Sequence, residues 1–397
     1  MKILFYRYGS ICEPDIIAGF QELGNEVSQL DIEVTNKNIS ATERLKKIAD
    51  QLFLAAYDFV FSINYYPVIS EVCNVFKIRY LCWTVDSPVM DLYSNTLKNP
   101  WNRVFLFDQD QYRTFSPINP SCIFHMPLAS NPKRWNQVIQ SVPKQLQAQY
   151  QHDIAFVGSL YTEKCPYDRL TQASDYLIGY LTGLMEAQLK IYGYYFLEEV
   201  LPDSVVDEFK SHLPGFYTPL DTYQKNDKNA MCRLYLDGKM SALERTRLLD
   251  ALGRHFQVGL YTGSDTAHLS VKSLGLATTL TQMPLIFHNS KINLNITSKS
   301  IREGLPLRIF DILGCGGFLI TNFQSELPTY FSIGTDLVVY ESEDDLLSKC
   351  DYYLTHESDR MEIAHNGYEK LVQYHNYPER LLDMISLAFL HKEEKTT

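Results

Sequence analysis

Long apolar runs are missing from these 397 residues. No stretch reaches the roughly 18 apolar residues a membrane-spanning helix requires, so no membrane span is expected. Paired cysteines are missing too: the eight (Cys12, Cys73, Cys82, Cys122, Cys165, Cys232, Cys315 and Cys350) show neither a C-x-x-C pair nor a metal-like spacing. They read as reduced, mostly buried thiols of a cytoplasmic protein. The start, MKILFYRYGSICEPD, has only a short apolar run before Arg7. It lacks the apolar core of a signal peptide and reads as a first strand. Positive charge is in deficit, with 36 Lys plus Arg against 47 Asp plus Glu and a net charge of -11. A chain of this sign repels nucleic acid and anionic lipid, so a polyanionic partner has to be held at a local basic site.

What is present is alternation. Over the first 130 residues short β-forming segments at Lys2–Tyr6, Glu26–Leu30, Phe59–Ile63, Tyr80–Trp83, Val104–Phe107 and Cys122–Met126 alternate with helix-length amphipathic stretches such as Asp15–Leu23, closed by Gly24. This is the pattern of a parallel sheet with helices on both faces. A second series begins at Asp153–Val157 and resumes at Phe256–Tyr261, Lys291–Ile296, Phe318–Thr321 and Leu337–Tyr340. The expected organisation is an N-terminal Rossmann-like domain over 1–132, a polar linker over 133–151 and a C-terminal domain over 152–375 with a helical insertion at about 166–254. A closing helix over 376–397 is able to pack back on the N-terminal domain. Two such domains place a cleft at the carboxyl ends of two sheets, where open α/β sheets bind ligands.

The chemistry concentrates in 288–322, HNSKINLNITSKSIREGLPLRIFDILGCGGFLITN. In Lys291–Ile296 the apolar Ile292, Leu294 and Ile296 alternate with Lys291, Asn293 and Asn295. A strand whose polar face lines a cleft reads this way, and so does an edge strand. Gly304, Leu305 and Pro306 then open a short helix to Leu313, followed by Gly314, Gly316 and Gly317. Its free N–H groups, beside Arg302 and Arg308, form an anion site. Within 288–311 four basic residues face two acidic ones, a local sign reversal in an acidic chain. Arg308 and Asp311, three apart, share one side of the helix. The guanidinium suits a diphosphate and the carboxylate suits ribose hydroxyls; an i, i+3 salt bridge on a solvated face is the alternative.

The run resembles the C-terminal domain of GT-B-fold glycosyltransferases of the CgeB-like (spore maturation protein-like, glycosyl transferase group 1-like) family, through Ser290–Asn295 (SKINLN) and Gly304–Gly317 (GLPLRIFDILGCGG). FVGSLY at Phe156–Tyr161 and the closing HESDRMEIAHNGYEKLVQYHNYPERL extend the likeness. The resemblance implies two Rossmann-like domains facing across a cleft. It also implies a nucleotide-sugar donor, often a UDP-sugar, bound mainly on the C-terminal domain with no obligatory metal or other cofactor. By the same likeness Asp311 contacts the ribose, Gly304 and the helix start cradle the diphosphate, and Glu303 with Asp311 fits an E-x7-E spacing of retaining enzymes.

Further candidates carry alternatives. Asp86, after the strand ending at Trp83, is a candidate general base or a helix cap. His125, at the last N-terminal strand, is a second base candidate or a structural histidine. Ser159 can donate to a donor phosphate, and Tyr261 and Gly263 can approach the nucleotide or simply end a strand. Asp108 and Asp110 in FLFDQD offer a D-x-D metal pair or a helix start, with the helix start preferred. The expected function is hexosyl transfer from a UDP-sugar to a glycan, protein or small-molecule acceptor, with a partner glycosyltransferase or a second copy as a conceivable associate. An epimerase on the same fold and a non-catalytic scaffold subunit remain the rivals.

Overall fold

The computed structural model describes residues 1–218, 222 and 226–390. Residues 391–397 of the expected closing helix and residues 219–221 and 223–225 of the expected helical insertion lie outside them. The chain divides into two compact units, one of residues 1–130, 222 and 374–390, the other of 131–218 and 226–373.

The first unit is built on six parallel strands, β1 (Lys2–Tyr6), β2 (Glu26–Leu30), β3 (Phe59–Ile63), β4 (Arg79–Trp83), β5 (Asn102–Leu106) and β6 (Ile123–His125), in the order β2-β1-β3-β4-β5-β6. Continuous apolar runs such as FVFSI make β3 a strand covered on both faces, and all five of its residues are buried. Helix α1 (Glu13–Glu22) follows β1 and ends where Gly24 takes φ +79°, the left-handed cap read from the sequence. Helix α2 (Ala41–Leu54) precedes β3, and α3 (Pro67–Phe76) follows it. Helix α4 (Gln109–Phe115) opens on Asp108, whose buried side chain accepts from the Asp110 N–H at 3.1 Å. The D-x-D pair therefore starts a helix.

The second unit has five parallel strands, β7 (Ile154–Val157), β8 (Val258–Tyr261), β9 (Ile292–Asn295), β10 (Leu319–Asn322) and β11 (Val338–Tyr340), in the order β11-β10-β9-β7-β8. Every strand foreseen is present. Within the segment expected to be a linker, α5 (Pro132–Ser141) is capped by the Asn131 side chain and buries Trp135 and Ile139. Its polar residues obscured Pro132, Trp135 and Ile139, buried apolar positions at helical spacing.

Between β7 and β8 lie α6 (Asp175–Gln188), α7 (Asp203–His212) and the long α8 (Asp237–His255), which continues without a break from a π-helical turn at Met231–Leu236. Helix α9 (Met283–Asn289) precedes β9, and α10 (Leu307–Gly314) follows it one residue later than the sequence suggests, with Pro306 as the cap. Helices α11 (Glu343–Thr355) and α12 (Glu357–Tyr374) close the unit. The last helix, α13 (Tyr377–Leu390), belongs to the first unit. There Leu381 lies so near Gly19 that a Cβ would approach it to 2.7 Å, and Arg103 Nε donates to the Ala388 carbonyl at 3.2 Å.

Candidate functional site

In the second sheet the chain leaves β7 for β8 on one side and returns to β9 on the other, so the β7–β9 pair is the switch point where loops diverge at the carboxyl edge. The guanidinium of Arg245, on α8, spans that point. It donates to the carbonyl of Ser159 after β7 at 2.6 Å and to that of Ile296 after β9 at 2.5 Å. Arg245 is 9% exposed, stacks 4.6 Å over the Tyr161 ring, and pairs with no carboxylate among the described residues. Arg308, on α10, is partly buried over Phe287 and only 3.9 Å from Asp311, at the limit of an ion pair. Burial lowers the pKa of the Arg308 guanidinium and the charge of Arg245 lowers it further, Asp311 opposing both. The charge of Arg245 thus reaches Arg308, and two under-compensated cations share the carboxyl edge of this sheet, an arrangement that favours an anion.

Helix α8 builds the rest. Asp237, Ser241, Glu244 and Arg245 fall at i, i+4, i+7 and i+8, one helical face, and all four hold the segment after β9. Asp237 pairs with Arg302 at 2.9 Å, Ser241 accepts from the Lys299 N–H at 2.9 Å, and Glu244 pairs with Lys299 at 2.8 Å.

Several sequence candidates change meaning here. Arg302 has a side chain 4% exposed, bound to Asp237 and Glu198 and stacked on Tyr195; it clamps the loop instead of offering a charge to a ligand. Asn295 is buried and donates to Thr297 and Thr321, because β9 is central and both of its faces are covered. Lys291 pairs with Asp153 at 2.7 Å at the amino end of β9, the opposite edge. The Tyr261 hydroxyl meets His152 Nε2 at 2.8 Å, drawn to the amino edge across Gly259, whose missing side chain leaves room for the imidazole. Leu305 is core at 2% exposed, so only its backbone can serve.

Ser159, Gly263, Glu303, Gly304, Arg308 and Asp311 all follow strand ends at the carboxyl edge. Ser159 Oγ donates to Glu163 at 3.0 Å and accepts from the Tyr161 N–H at 2.8 Å. Of the glycines after α10, Gly316 takes φ +70° and Gly317 packs so tightly that a Cβ would meet the Phe287 carbonyl at 2.6 Å. Gly317 thus serves packing within the unit.

In the first unit the switch point lies between β1 and β3. The loop after β1 is folded around the buried Glu13, which accepts from the N–H groups of Tyr8 (2.8 Å), Gly9 (2.8 Å) and Ser10 (3.1 Å) and from Arg7 Nε (2.9 Å). A carboxylate of the protein fills the N–H cradle that a phosphate would otherwise occupy. Beside it Asn64, at the end of β3, donates to the Asp86 carboxylate at 2.7 Å and to the Tyr8 hydroxyl at 3.3 Å. Burial first, and then the Asp86 charge, raise the Tyr8 pKa, which keeps the phenol protonated. Asp86 is exposed and caps no helix; the next helical turn is preceded by Val89. His125 ends β6, two strands from β4 and thus roughly 10 Å from the Asp86 strand. Among the described residues no three His, Cys, Asp or Glu side chains gather as metal ligands would.

Arg245, Glu13 and Asn64 are the residues that sequence reasoning missed. The signal for Arg245 is four polar residues at i, i+4, i+7 and i+8 in a helix that otherwise buries Met240, Leu248, Leu249 and Leu252.

Comparison with known proteins gives a match to part of the chain. Residues 245–386 match the family model described as glycosyl transferase-like. Residues 245–386 form a glycosyl transferase-like domain. The match starts at Arg245 itself and takes in β8 to β11, Arg308 and Asp311. The fold is GT-B. HepE from Anabaena, solved in complex with UDP-glucose, is similar at 11% identity and TM-score 0.54 over 97% of this chain and 98% of that one. A glycosyltransferase from Rickettsia africae is similar at 11% and 0.53 over 98% and 97%. Sucrose-phosphate synthase from Thermosynechococcus elongatus is similar at 10% and 0.53 over 98% of each chain. No curated protein matches the sequence. The glycosyl transferase-like domain supports the expected glycosyltransferase activity. No helix among the described residues is long and apolar enough to cross a membrane.

Proposed function

We propose that this chain is a CgeB-like glycosyltransferase that moves a sugar from a nucleoside-diphosphate donor, a UDP-sugar, to a hydroxyl-bearing acceptor without an obligatory metal. The observation that carries the reading is the cation pair Arg245–Arg308 at the β7–β9 switch point. When the glycosidic bond breaks, the leaving diphosphate gains negative charge, and fixed guanidinium groups stabilise it more than they stabilise the donor. Such cations supply the charge that a divalent metal provides in other transferases. Asp311 orients the ribose, and Gly304 with the N–H groups opening α10 approach the diphosphate. The similarity to HepE, described with UDP-glucose, supports uridine as the base.

The acceptor is assigned to the first unit. Its anion cradle is filled by Glu13, so the group taken there is a neutral hydroxyl compound, with Asp86 as general base and Asn64 and Tyr8 beside it. A cytoplasmic location fits eight cysteines that are all free thiols.

Calorimetric titration with UDP, GDP and ADP sugars tests the donor, with UDP-sugars expected to bind tightest. Arg308→Ala should abolish transfer while the circular dichroism stays native; full activity in that variant refutes the site.

A further inference from the structure

The second unit holds a cavity of about 860 Å³ at the other end of its sheet, where β7, β8 and β9 begin. Its walls include Asp153, Val258, Lys291 and Phe318, all at strand starts, and Arg360 of α12. A four-residue strand spans about 13 Å, so this cavity is separate from the carboxyl edge where the donor is placed. The volume is that of a small-molecule site.

Arg360 decides the chemistry. Its side chain is 7% exposed, and of its five N–H donors one is given to the Tyr353 carbonyl at 2.6 Å. Its nearest carboxylate, Glu357, stands 3.9 Å away with a side chain 80% exposed, a loose and solvent-screened pair. A guanidinium that is desolvated, weakly neutralised and part of a cavity wall is stabilised by an oxyanion presented in its plane.

Two neighbours fit the same ligand. His288 is fixed by its Nδ1 contact with the Cys315 carbonyl at 3.0 Å, and its Nε2 has no partner among the described residues. Lys291 adds a cation at the rim, held by Asp153. The remaining wall mixes amide side chains, Gln257 and Asn289 among them, with Phe318 and Leu354, which suits an uncharged body larger than the anion itself.

We infer that this cavity binds a small metabolite bearing one oxyanion, a phosphomonoester or a carboxylate, with Arg360 as the anchor. The site is independent of the nucleotide-sugar reading and remains occupied when the donor site is filled.

The test is calorimetry on the full chain, with and without saturating UDP, using inorganic phosphate, glucose 6-phosphate, glucuronate and glucose as probes. Saturable binding of glucose 6-phosphate or glucuronate, and none of glucose, is expected. Preference between the two identifies which oxyanion the site takes. Arg360→Gln should weaken that binding by about tenfold or more and leave UDP affinity unchanged. Leu274→Trp, which narrows the mouth at an exposed position, should weaken it as well and keeps the test valid if the Arg360 variant folds poorly. No saturable binding of either anion up to about 10 mM, equal binding of glucose, competition by UDP, or unchanged binding in both variants overturns the inference. A failure of UDP to bind leaves this site untouched and counts only against the donor assignment.

Discussion

Arg245 donates to the Ile296 carbonyl at 2.5 Å, which places a buried guanidinium directly after the central strand of the second sheet. The same side chain holds the Ser159 carbonyl, so one residue ties together the two loops that part at the switch point. The remaining polar residues of that helix face fix the segment up to Arg302. The carboxyl edge at the switch point is thus pre-formed, with Arg245 and the loop after β9 set by one helix before any ligand arrives, which lowers the ordering cost of binding.

Replacing Arg245 with Ala should act on both stability and binding. Two carbonyls lose a charged donor, worth about 1–3 kcal/mol for each group left unsatisfied, and UDP affinity should fall by about tenfold or more with the lost cation. Urea denaturation and UDP calorimetry on the same preparation read the two effects. An Arg245→Ala protein that binds UDP as the parent does would remove this residue from the diphosphate site.

For Arg302 the expectation is the reverse of the sequence reading. Its partner Asp237 is wholly buried, and breaking such a pair by one substitution costs about 3–5 kcal/mol, whereas replacing both partners with apolar side chains is often neutral. Arg302→Met should therefore destabilise strongly, and Arg302→Met with Asp237→Leu should recover most of the loss. Denaturant midpoints for the two singles and the double complete the cycle. A stable Arg302→Met protein with lost UDP binding would restore the ligand role.

The eleven strands among the described residues were legible because each is a short β-rich run bounded by turn residues, and α10 because Pro306 and the glycines after Leu313 bracket it. The chemistry was less so. Arg302 beside Gly304 looks like a phosphate ligand until its counter-charges are found, and Glu198 is 104 residues away in sequence. Arg245 was hidden for the same reason: it sits in a helix far from the motif it serves. Asn295 misled because alternation reveals which residues share a face and says nothing of whether a helix covers that face. The carboxyl-edge positions of Arg308, Asp311 and Ser159, by contrast, follow from strand order alone.

Acidification should loosen the loop after β7. Partial burial raises the Glu163 pKa, but hydrogen bonds from Ser264, Ser159 and Thr162 outweigh it and hold the carboxyl below its ordinary value. A depressed acid contributes stability that is complete above the unfolded value, about 4.3, and is lost as pH falls through the folded value. Carboxyl carbon NMR should show Glu163 titrating below the ordinary glutamate value, and Glu163→Gln should abolish the pH dependence of Tyr161 ring signals. A Glu163 midpoint at or above the ordinary value contradicts the hydrogen-bond arrangement.

Asp86 provides the sharpest kinetic test. It is exposed, bonded to Asn64 at 2.7 Å and close enough to Tyr8 to raise the phenol's pKa, so its carboxylate is oriented without being consumed by a salt bridge. As general base it would contribute about 10²–10⁴-fold to transfer. Asp86→Asn preserves the side chain's shape and lets its amide oxygen accept from Asn64, so the fold and UDP affinity should not change. The turnover number should drop by that factor. A variant that keeps turnover, or one that loses UDP affinity in proportion to turnover, would shift the search for the base away from this carboxylate.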